Sequence, residues 1–454
     1  MPDSTPHADA APAAQPSLRR VLGLVFGLAV VVGGVIGSGI MRAPGVVALG
    51  LSSVPLTLLL WVAGGALALV TAMPVVEAGA SVPRAGGSYA IATRAFGPTA
   101  GFMTGWITWL QYTGSNAFIA VVFGEYVHRL GFLTGVPTAG LAVGLIAACS
   151  LLNLAATQVS GGSQSLASAL KGAVFIAVAL VLLVSPRAPP SFHPVAASMA
   201  VAGAGGVAAV IMAVRVVYQT YAGWDGAIYF SEEVHDPGRN VARATFSGIV
   251  LVTLVYLLVN IALFHVLSPA QVAGSTLAVG DALHVALGGF GDTAVTAIGA
   301  LSLAAIVNLQ VMASSRIIYR MGADGLLPRA FAVVSRGGSP VVAVLAVALV
   351  SALLAGSGSY EKIVRIYAPW SIGSIFMICV SGIALRYTAP DLPRPYKTPL
   401  FPALSIFAAL VQASLIAVVV VDDPHSALWS VLVLFAPLPV LLALRRRRTQ
   451  SPSP

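Results

Sequence analysis

Twelve apolar segments follow one another along the chain, each about the length a helix needs to cross a bilayer. Their approximate limits are 19–48, 52–78, 98–130, 136–157, 166–185, 205–230, 243–267, 292–320, 338–356, 363–387, 401–421 and 425–444. Little sequence remains for anything else. Only 9% of the 454 residues are charged and 58% are hydrophobic, whereas a soluble domain carries roughly a quarter charged residues. The expectation is an all-α polytopic membrane protein with 12 transmembrane helices, the transmembrane domain running over 18–444.

The formal net charge of +9 is arranged as a membrane protein arranges it. With the N-terminus placed inside, seventeen of the twenty-four Lys and Arg residues fall on the cytoplasmic side. Six fall outside (Arg42, Arg129, Arg187, Arg215, Lys362 and Arg365), and Lys171 falls within a span. This bias puts both termini in the cytoplasm, and in a bacterial-type cell it implies the inner membrane. The run of four arginines at 445–448 opens a basic cytoplasmic tail, 445–454, and reads as a lipid-headgroup anchor rather than a nucleic-acid contact. Residues 1–17, rich in Ala, Pro and Ser, read as a disordered cytoplasmic tail without the pattern of a signal peptide. Cys149 and Cys379 both lie in spans, so no structural disulfide is expected.

Two spans are interrupted in the middle. Span one contains Val31-Val-Gly-Gly-Val-Ile-Gly-Ser-Gly-Ile40, and span six contains Tyr221-Ala-Gly-Trp-Asp-Gly226. Loosened backbone groups cost several kcal/mol each in hydrocarbon, about 4–8 kcal/mol by water-to-cyclohexane transfer. Such breaks are tolerated where the freed groups line a polar cavity, and in secondary transporters that cavity holds the substrate. Spans one and six would then be matching members of two five-helix repeats in inverted orientation. The loops at 83–98 and 321–340 are punctuated by Gly and Pro around short amphipathic stretches, and read equally as interfacial helices or as ordinary connections.

Several motifs carry a family resemblance. They are Gly34-Val-Ile-Gly-Ser-Gly-Ile40, Gly86-Gly-Ser-Tyr89 with Phe96-Gly-Pro98, and Gly223-Trp-Asp225 followed by Ser231-Glu-Glu-Val-His-Asp-Pro-Gly-Arg-Asn240. Ala313-Ser-Ser-Arg316, Asp324-Gly-Leu-Leu-Pro328 and Leu392-Pro-Arg-Pro-Tyr-Lys397 continue them in order. The chain resembles amino acid permeases of the amino acid–polyamine–organocation (APC) superfamily, particularly the L-type branch and its bacterial relatives. The resemblance implies a LeuT-like core of ten helices in a 5+5 inverted repeat, broken at helices 1 and 6, plus two further helices. It also implies amino acid transport by alternating access, as proton symport or as substrate exchange. No GxxxxGK[ST] loop is present, in keeping with transport without ATP. Eukaryotic L-type members carry a cysteine between spans three and four for linkage to a partner glycoprotein. The loop 131–138 has none, so no covalent heavy-chain partner is expected.

Candidate site residues follow from both lines of reasoning. N–H groups at a half-helix N-terminus suit a carboxylate. The resemblance places the carboxylate cradle at Ile36, Gly37, Ser38, Gly39 and Ile40; the alternative is small-residue helix packing. Carbonyls freed at Tyr221, Ala222 and Gly223 suit a substrate ammonium, the role the resemblance assigns them. Relatives often hold a closing aromatic where this chain has Gln219, leaving Tyr221 or Trp224 for that task. Asp225, a carboxylate in mid-membrane, is open to three roles: contact with a cationic substrate side chain, proton or gating chemistry, or bonding between helices. Asn116 and Asn308 match polar positions lining the family's cavity, with interhelical hydrogen bonding as the alternative; Gln310 and Tyr367 are weaker candidates of the same kind. Lys171 either snorkels to the surface or, as in sodium-independent relatives, replaces a sodium ion bridging helices one, five and eight.

Glu77, Glu232 and Glu233 have Arg239, Arg243 and Arg316 available nearby, and read either as inner-gate ion pairs or as simple loop solvation. His128, His193, His265 and His284 show no metal-ligand spacing, and no catalytic constellation assembles. No enzyme activity, metal or cofactor is expected. The partners expected are an amino acid and the lipid bilayer, and no nucleic acid. Two rival readings are a polyamine or other organic-amine transporter of the same fold, and a membrane amino acid sensor that moves nothing.

Overall fold

The computed structural model describes residues 22–37, 39–51, 53–155, 157–192, 207–273, 275, 277–357 and 360–439. Both expected tails and Ser38 lie outside the described residues. The described chain is helical. Helix α1 (Leu24–Val35) gives way at Ile36 to extended backbone, and α2 (Gly39–Gly50) resumes at an angle of 44°. There follow α3 (Val54–Ser81), α4 (Ser88–Phe96), α5 (Pro98–Arg129), α6 (Thr138–Ala155) and α7 (Thr157–Leu183). Helix α8 (Val207–Thr220) stops at the second glycine-rich break, and a short, tighter helix occupies Trp224–Phe230. The remainder comprises α9 (Pro237–Val266), α10 (Pro269–Ala273), α11 (Ala278–Leu287), α12 (Gly289–Ala323), α13 (Val341–Gly356), α14 (Tyr360–Thr388), α15 (Ala403–Asp422) and α16 (Pro424–Phe435).

Every one of the twelve apolar segments falls on a helix or a broken pair of helices. Among the described residues, seven helices are long and apolar enough to cross a membrane, or eight if α1 and α2 form one span. The others differ for visible reasons. Helix α5 has 32 residues, but threonines, Gln111 and Asn116 interrupt its apolarity. Helices α13 and α16 have 16 and 12 residues, and α8 has 14 before its break. The 83–98 segment forms a nine-residue helix, α4, with Tyr89 and Ile91 buried and Arg94 and Phe96 exposed. Beyond the end of α12, the 321–340 segment forms the short helical turn Arg329–Ala332, none of whose residues is buried.

Glycines set how closely the helices approach. A Cβ on Gly299 would strike the Tyr126 ring, and one on Gly105 would strike Met321 and Tyr89. Because 105 pairs with 321 and 126 with 299, α5 and α12 run antiparallel in close contact, as small residues permit inside membranes. Several buried charges are paired. The Glu77 carboxylate on α3 accepts two hydrogen bonds from Arg386 on α14 and one from the Thr398 N–H at 2.7 Å, with Arg394 at 3.6 Å. Glu77 thus pairs with none of the three arginines expected.

Candidate functional site

The two breaks meet backbone to backbone. A Cβ on Gly34 would lie 2.9 Å from the Gly223 carbonyl oxygen, and one on Gly223 would lie 2.7 Å from that of Gly34. Gly223 also has φ of +107°, a left-handed conformation that side chains disfavour. Glycine is therefore required at 223 twice over, for its dihedral and for the approach. At the start of α2, a Cβ on Gly39 would sit 3.1 Å from Thr220 Cγ2, at the end of α8. One on Gly37 would sit 3.0 Å from Ile306 Cδ1. The first N–H groups of α2 have no acceptor within their own helix, and the last carbonyls of α1 and α8 take donors from outside theirs, among them the Ile36 N–H at Val32 and the Tyr221 and Ala222 N–H groups at Tyr218 and Gln219. Partial positive and partial negative helix ends are thus gathered at one level of the bundle.

Beside this junction lies a cavity of about 60 Å³, room for a few water molecules. Ala222, Gly223, Trp224, Asp225 and Gln219 line it from the second break, facing Gln111 of α5, Ser371 of α14 and Gln412 of α15. Trp224 and Asp225 are buried, while Gln219 and Ala222 are exposed. The Asp225 carboxylate accepts a 3.3 Å hydrogen bond from the Tyr229 hydroxyl. Gln412 donates to the Tyr218 hydroxyl at 2.7 Å, and Gln111 accepts from Ser374 at 2.7 Å. Gln111, Gln412 and Tyr218 are wall residues that the sequence reading missed. The signal available was an amide within an apolar run, the same signal that singled out Asn116.

The other candidates stand elsewhere. Ile36, Gly37, Ile40 and Tyr221 are buried and Gly39 is half-buried; none of them borders the cavity. Tyr221 donates to the Trp61 carbonyl at 2.8 Å and packs its ring on Trp61 and Tyr256, an anchored position rather than a swinging one. Asn308 belongs to a ladder between helices: it accepts from Asn153 of α6 at 3.0 Å and donates to Gln164 of α7 at 3.3 Å. Tyr367 is half-buried against Phe118, with ring centres 5.1 Å apart. Asn116 is fully buried and neither polar atom of its amide has a partner among the described residues. The antiparallel register of α5 and α12 brings Asn116 level with Gln310, whose Oε1 is likewise unpartnered. Buried polar groups are rarely left so, and water or a ligand is the usual partner.

Lys171 does not snorkel. Its side chain is 2% exposed and points into the bundle, where Nζ donates to the Gly33 carbonyl at 2.9 Å. Gly33 lies one turn before the first break, so a buried ammonium on α7 is fastened to the hinge of the broken span. Among the described residues no carboxylate lies within ion-pair distance of it.

One end of the bundle is closed by charge. Arg316 of α12 makes a two-pronged pair with Glu233, at 2.6 and 3.0 Å, with both side chains almost wholly buried. The Glu233 carbonyl accepts from the Leu22 N–H at 3.0 Å, and the Leu22 carbonyl accepts from His235 at 2.9 Å. The segment entering α1 is thereby stitched to the segment leaving the second break. Arg316→Met is expected to cost about 3–5 kcal/mol by stranding a buried carboxylate. The double variant Glu233→Gln/Arg316→Met should recover most of that loss. Thermal unfolding in detergent measures both.

Comparison with known proteins adds an independent line. Residues 22–444 match the family described as amino acid permease. The chain is 31% identical over 416 residues to the rat large neutral amino acids transporter small subunit 2, covering 88% of this chain and 77% of the relative. It is 29% identical over 429 residues to the mouse b(0,+)-type amino acid transporter 1, covering 90% and 84%. To the cystine/glutamate transporter of Pongo abelii it is 28% identical over 424 residues, covering 90% and 82%.

Proposed function

The chain belongs to the amino acid permease family, and we propose that it carries amino acids across a cell membrane by alternating access, without sodium as the coupling ion. The observation that carries this reading is the junction of Gly34 with Gly223, where two broken spans meet backbone to backbone in the middle of the bundle. Relatives named as transporters of neutral amino acids and of cystine or glutamate set the substrate class.

The finer architecture follows from the same premise. Twelve spans, ten of them in two inverted five-helix repeats, place α1 and α2 in correspondence with α8 and the Trp224–Phe230 helix. The excess of Lys and Arg on one side orients both termini to the cytoplasm of an inner membrane. The Arg316–Glu233 end is then the cytoplasmic gate, in its closed position. The α-carboxylate binds at Ile36, Gly37, Ser38, Gly39 and Ile40, and the amino group at the carbonyls of Tyr221, Ala222 and Gly223. The substrate side chain extends towards Trp224, Asp225, Gln111 and Gln412. Small-ligand pockets commonly enclose about 300–1,000 Å³. The 60 Å³ present here must therefore widen for a substrate to enter.

Uptake into proteoliposomes with a panel of alanine, leucine, arginine, glutamate, cystine and putrescine tests the proposal. Saturable uptake of one or more amino acids, lost when the carboxylate is amidated, is the expected result. Putrescine alone being moved, or binding without uptake, would replace it with the amine-transporter or the sensor reading. Within the same panel, Asp225→Asn should weaken arginine uptake roughly ten- to a hundredfold while sparing alanine and leucine, if the carboxylate faces the side chain. Equal losses for all substrates would assign Asp225 to bonding between helices if the pH response is unchanged, and to proton chemistry if the pH dependence flattens.

A further inference from the structure

A second cavity, about seven times the volume of the one at the junction, lies at one end of the bundle and shares no residue with it. Its volume of about 430 Å³ falls in the range that holds small ligands, about 300–1,000 Å³. Three arginines line it: Arg84 just past α3, Arg94 on α4 and Arg320 near the end of α12. Arg320 stands one turn beyond Arg316 on the same helix. The cavity is therefore at the end that the Arg316–Glu233 pair closes.

The acidic groups on hand are already engaged. Asp324, the one carboxylate on the wall, accepts two N–H groups of Arg320 at 2.8 and 3.1 Å and the Tyr89 hydroxyl at 2.9 Å. The Glu232 carboxylate does not line the cavity and accepts the Ala85 N–H at 2.8 Å. Arg84 and Arg94 are exposed, and among the described residues neither has a carboxylate within ion-pair distance. Three cations thus face one anion, and two positive charges stand uncompensated in a single concavity.

The helix that carries Arg94 narrows the choice of anion. On α4, Tyr89 and Ile91 are buried, whereas Phe96, two residues past Arg94, is 45% exposed. A cation and an apolar ring are thereby turned outward together at one end of a short amphipathic helix, the arrangement of a segment lying at a membrane surface. A soluble anion gains nothing from the ring. A phospholipid carries its phosphate and its acyl chains within that short distance of each other. Guanidinium groups grip phosphate oxygens through paired N–H donors, and basic pockets between membrane helices take anionic headgroups.

We propose that this cavity holds the headgroup of an anionic phospholipid, its phosphate paired with Arg84 and Arg94 and its acyl chains lying against Phe96. The Thr93 hydroxyl gives its proton to the Tyr89 carbonyl at 2.8 Å and offers its oxygen to a headgroup hydroxyl, which favours a glycerol headgroup. The site stands whether or not the transport reading does.

Native mass spectrometry of the full chain in detergent tests this, with dioleoylphosphatidylglycerol, dioleoylphosphatidylcholine and inorganic phosphate as probes. Wild type is expected to bind phosphatidylglycerol at least about tenfold more tightly than phosphatidylcholine, and Arg84→Gln/Arg94→Gln to weaken phosphatidylglycerol about tenfold. Arg336→Gln removes an exposed arginine that does not line the cavity, and should stay within about twofold of wild type. An equal loss in the Arg336 variant would make the attraction one of diffuse surface charge and overturn the proposal. So would unchanged binding by the double variant. Inorganic phosphate that displaces the lipid at comparable concentration would identify a soluble-anion site and overturn the lipid assignment. The melting temperature of the double variant should match wild type, because exposed side chains without partners hold no helices together. Should that variant fail to fold, Arg94→Gln alone is measured: a loss of about threefold is expected, and none counts against the proposal.

Discussion

Valine at position 223 is expected to abolish uptake, by at least about a hundredfold, in protein that still inserts and purifies. Two costs add at that residue. A positive φ of +107° strains any β-branched side chain by about 1–3 kcal/mol. A Cβ there would also sit 2.7 Å from the Gly34 carbonyl oxygen, a backbone atom that moves only if the first broken span moves with it. Overpacking of this kind costs a further 1–3 kcal/mol or so, and every 1.4 kcal/mol is about tenfold. The strain falls on the junction alone, leaving the rest of the bundle to assemble. Valine at Gly39 should follow the same course less severely, because its nearest obstacle is the side chain of Thr220 at 3.1 Å. Valine at Gly144, where nothing lies within 4 Å, is the control and should transport as wild type does. Counterflow in proteoliposomes, normalised to protein amount, measures all three; normal transport by the Gly223→Val protein would remove the junction from the mechanism.

Replacing Lys171 by methionine should reduce transport by roughly ten- to a hundredfold, the scale of a lost charge-assisted hydrogen bond of about 1.5–3 kcal/mol. Methionine keeps the length and the apolar stem but leaves the Gly33 carbonyl without the donor now 2.9 Å away. That carbonyl is part of the hinge, so its loss bears on the position of α1 relative to α7. On the proposed reading the ammonium is the permanent cation of the site. Wild-type uptake should then be indifferent to replacement of sodium by choline. A steep dependence on sodium would sink the idea, and so would full activity of the Lys171→Met protein.

What could be read in the chain, and what could not, divides by the range of the interaction. Both breaks announced themselves because an interrupted helix needs Gly and small polar residues at one place, a local requirement that is written locally. The helices themselves were legible for the same reason, although α7 begins at Thr157, nine residues before the expected 166. Partnerships across hundreds of residues were not. Glu233 chose Arg316 from three nearby arginines, while Glu77 took Arg386 and Arg394, which the loop pattern had not offered. Asn116 and Asn308 looked alike in sequence, each an amide in an apolar run. Two neighbouring helices supply partners to Asn308, whereas Asn116 has no partner among the described residues. Lys171 could not be placed by depth alone, since the same position allows a side chain to run outward or inward.

The Glu77 cluster also bears on how the protein is made. Its partners lie more than three hundred residues downstream: the Arg386 guanidinium is separated from Glu77 by 309 positions and the Thr398 N–H by 321. At a synthesis rate of roughly 5–20 residues per second, the carboxylate waits about 15–60 s for its partners to emerge. Throughout that interval α3 carries an acidic group with no cation of its own, so the nascent helix must either hold a proton or sit high in the bilayer. Arrival of α14 and the segment after it releases that constraint. The order of ribosomal synthesis thus makes the last third of the polypeptide the part that commits the first third to its final depth.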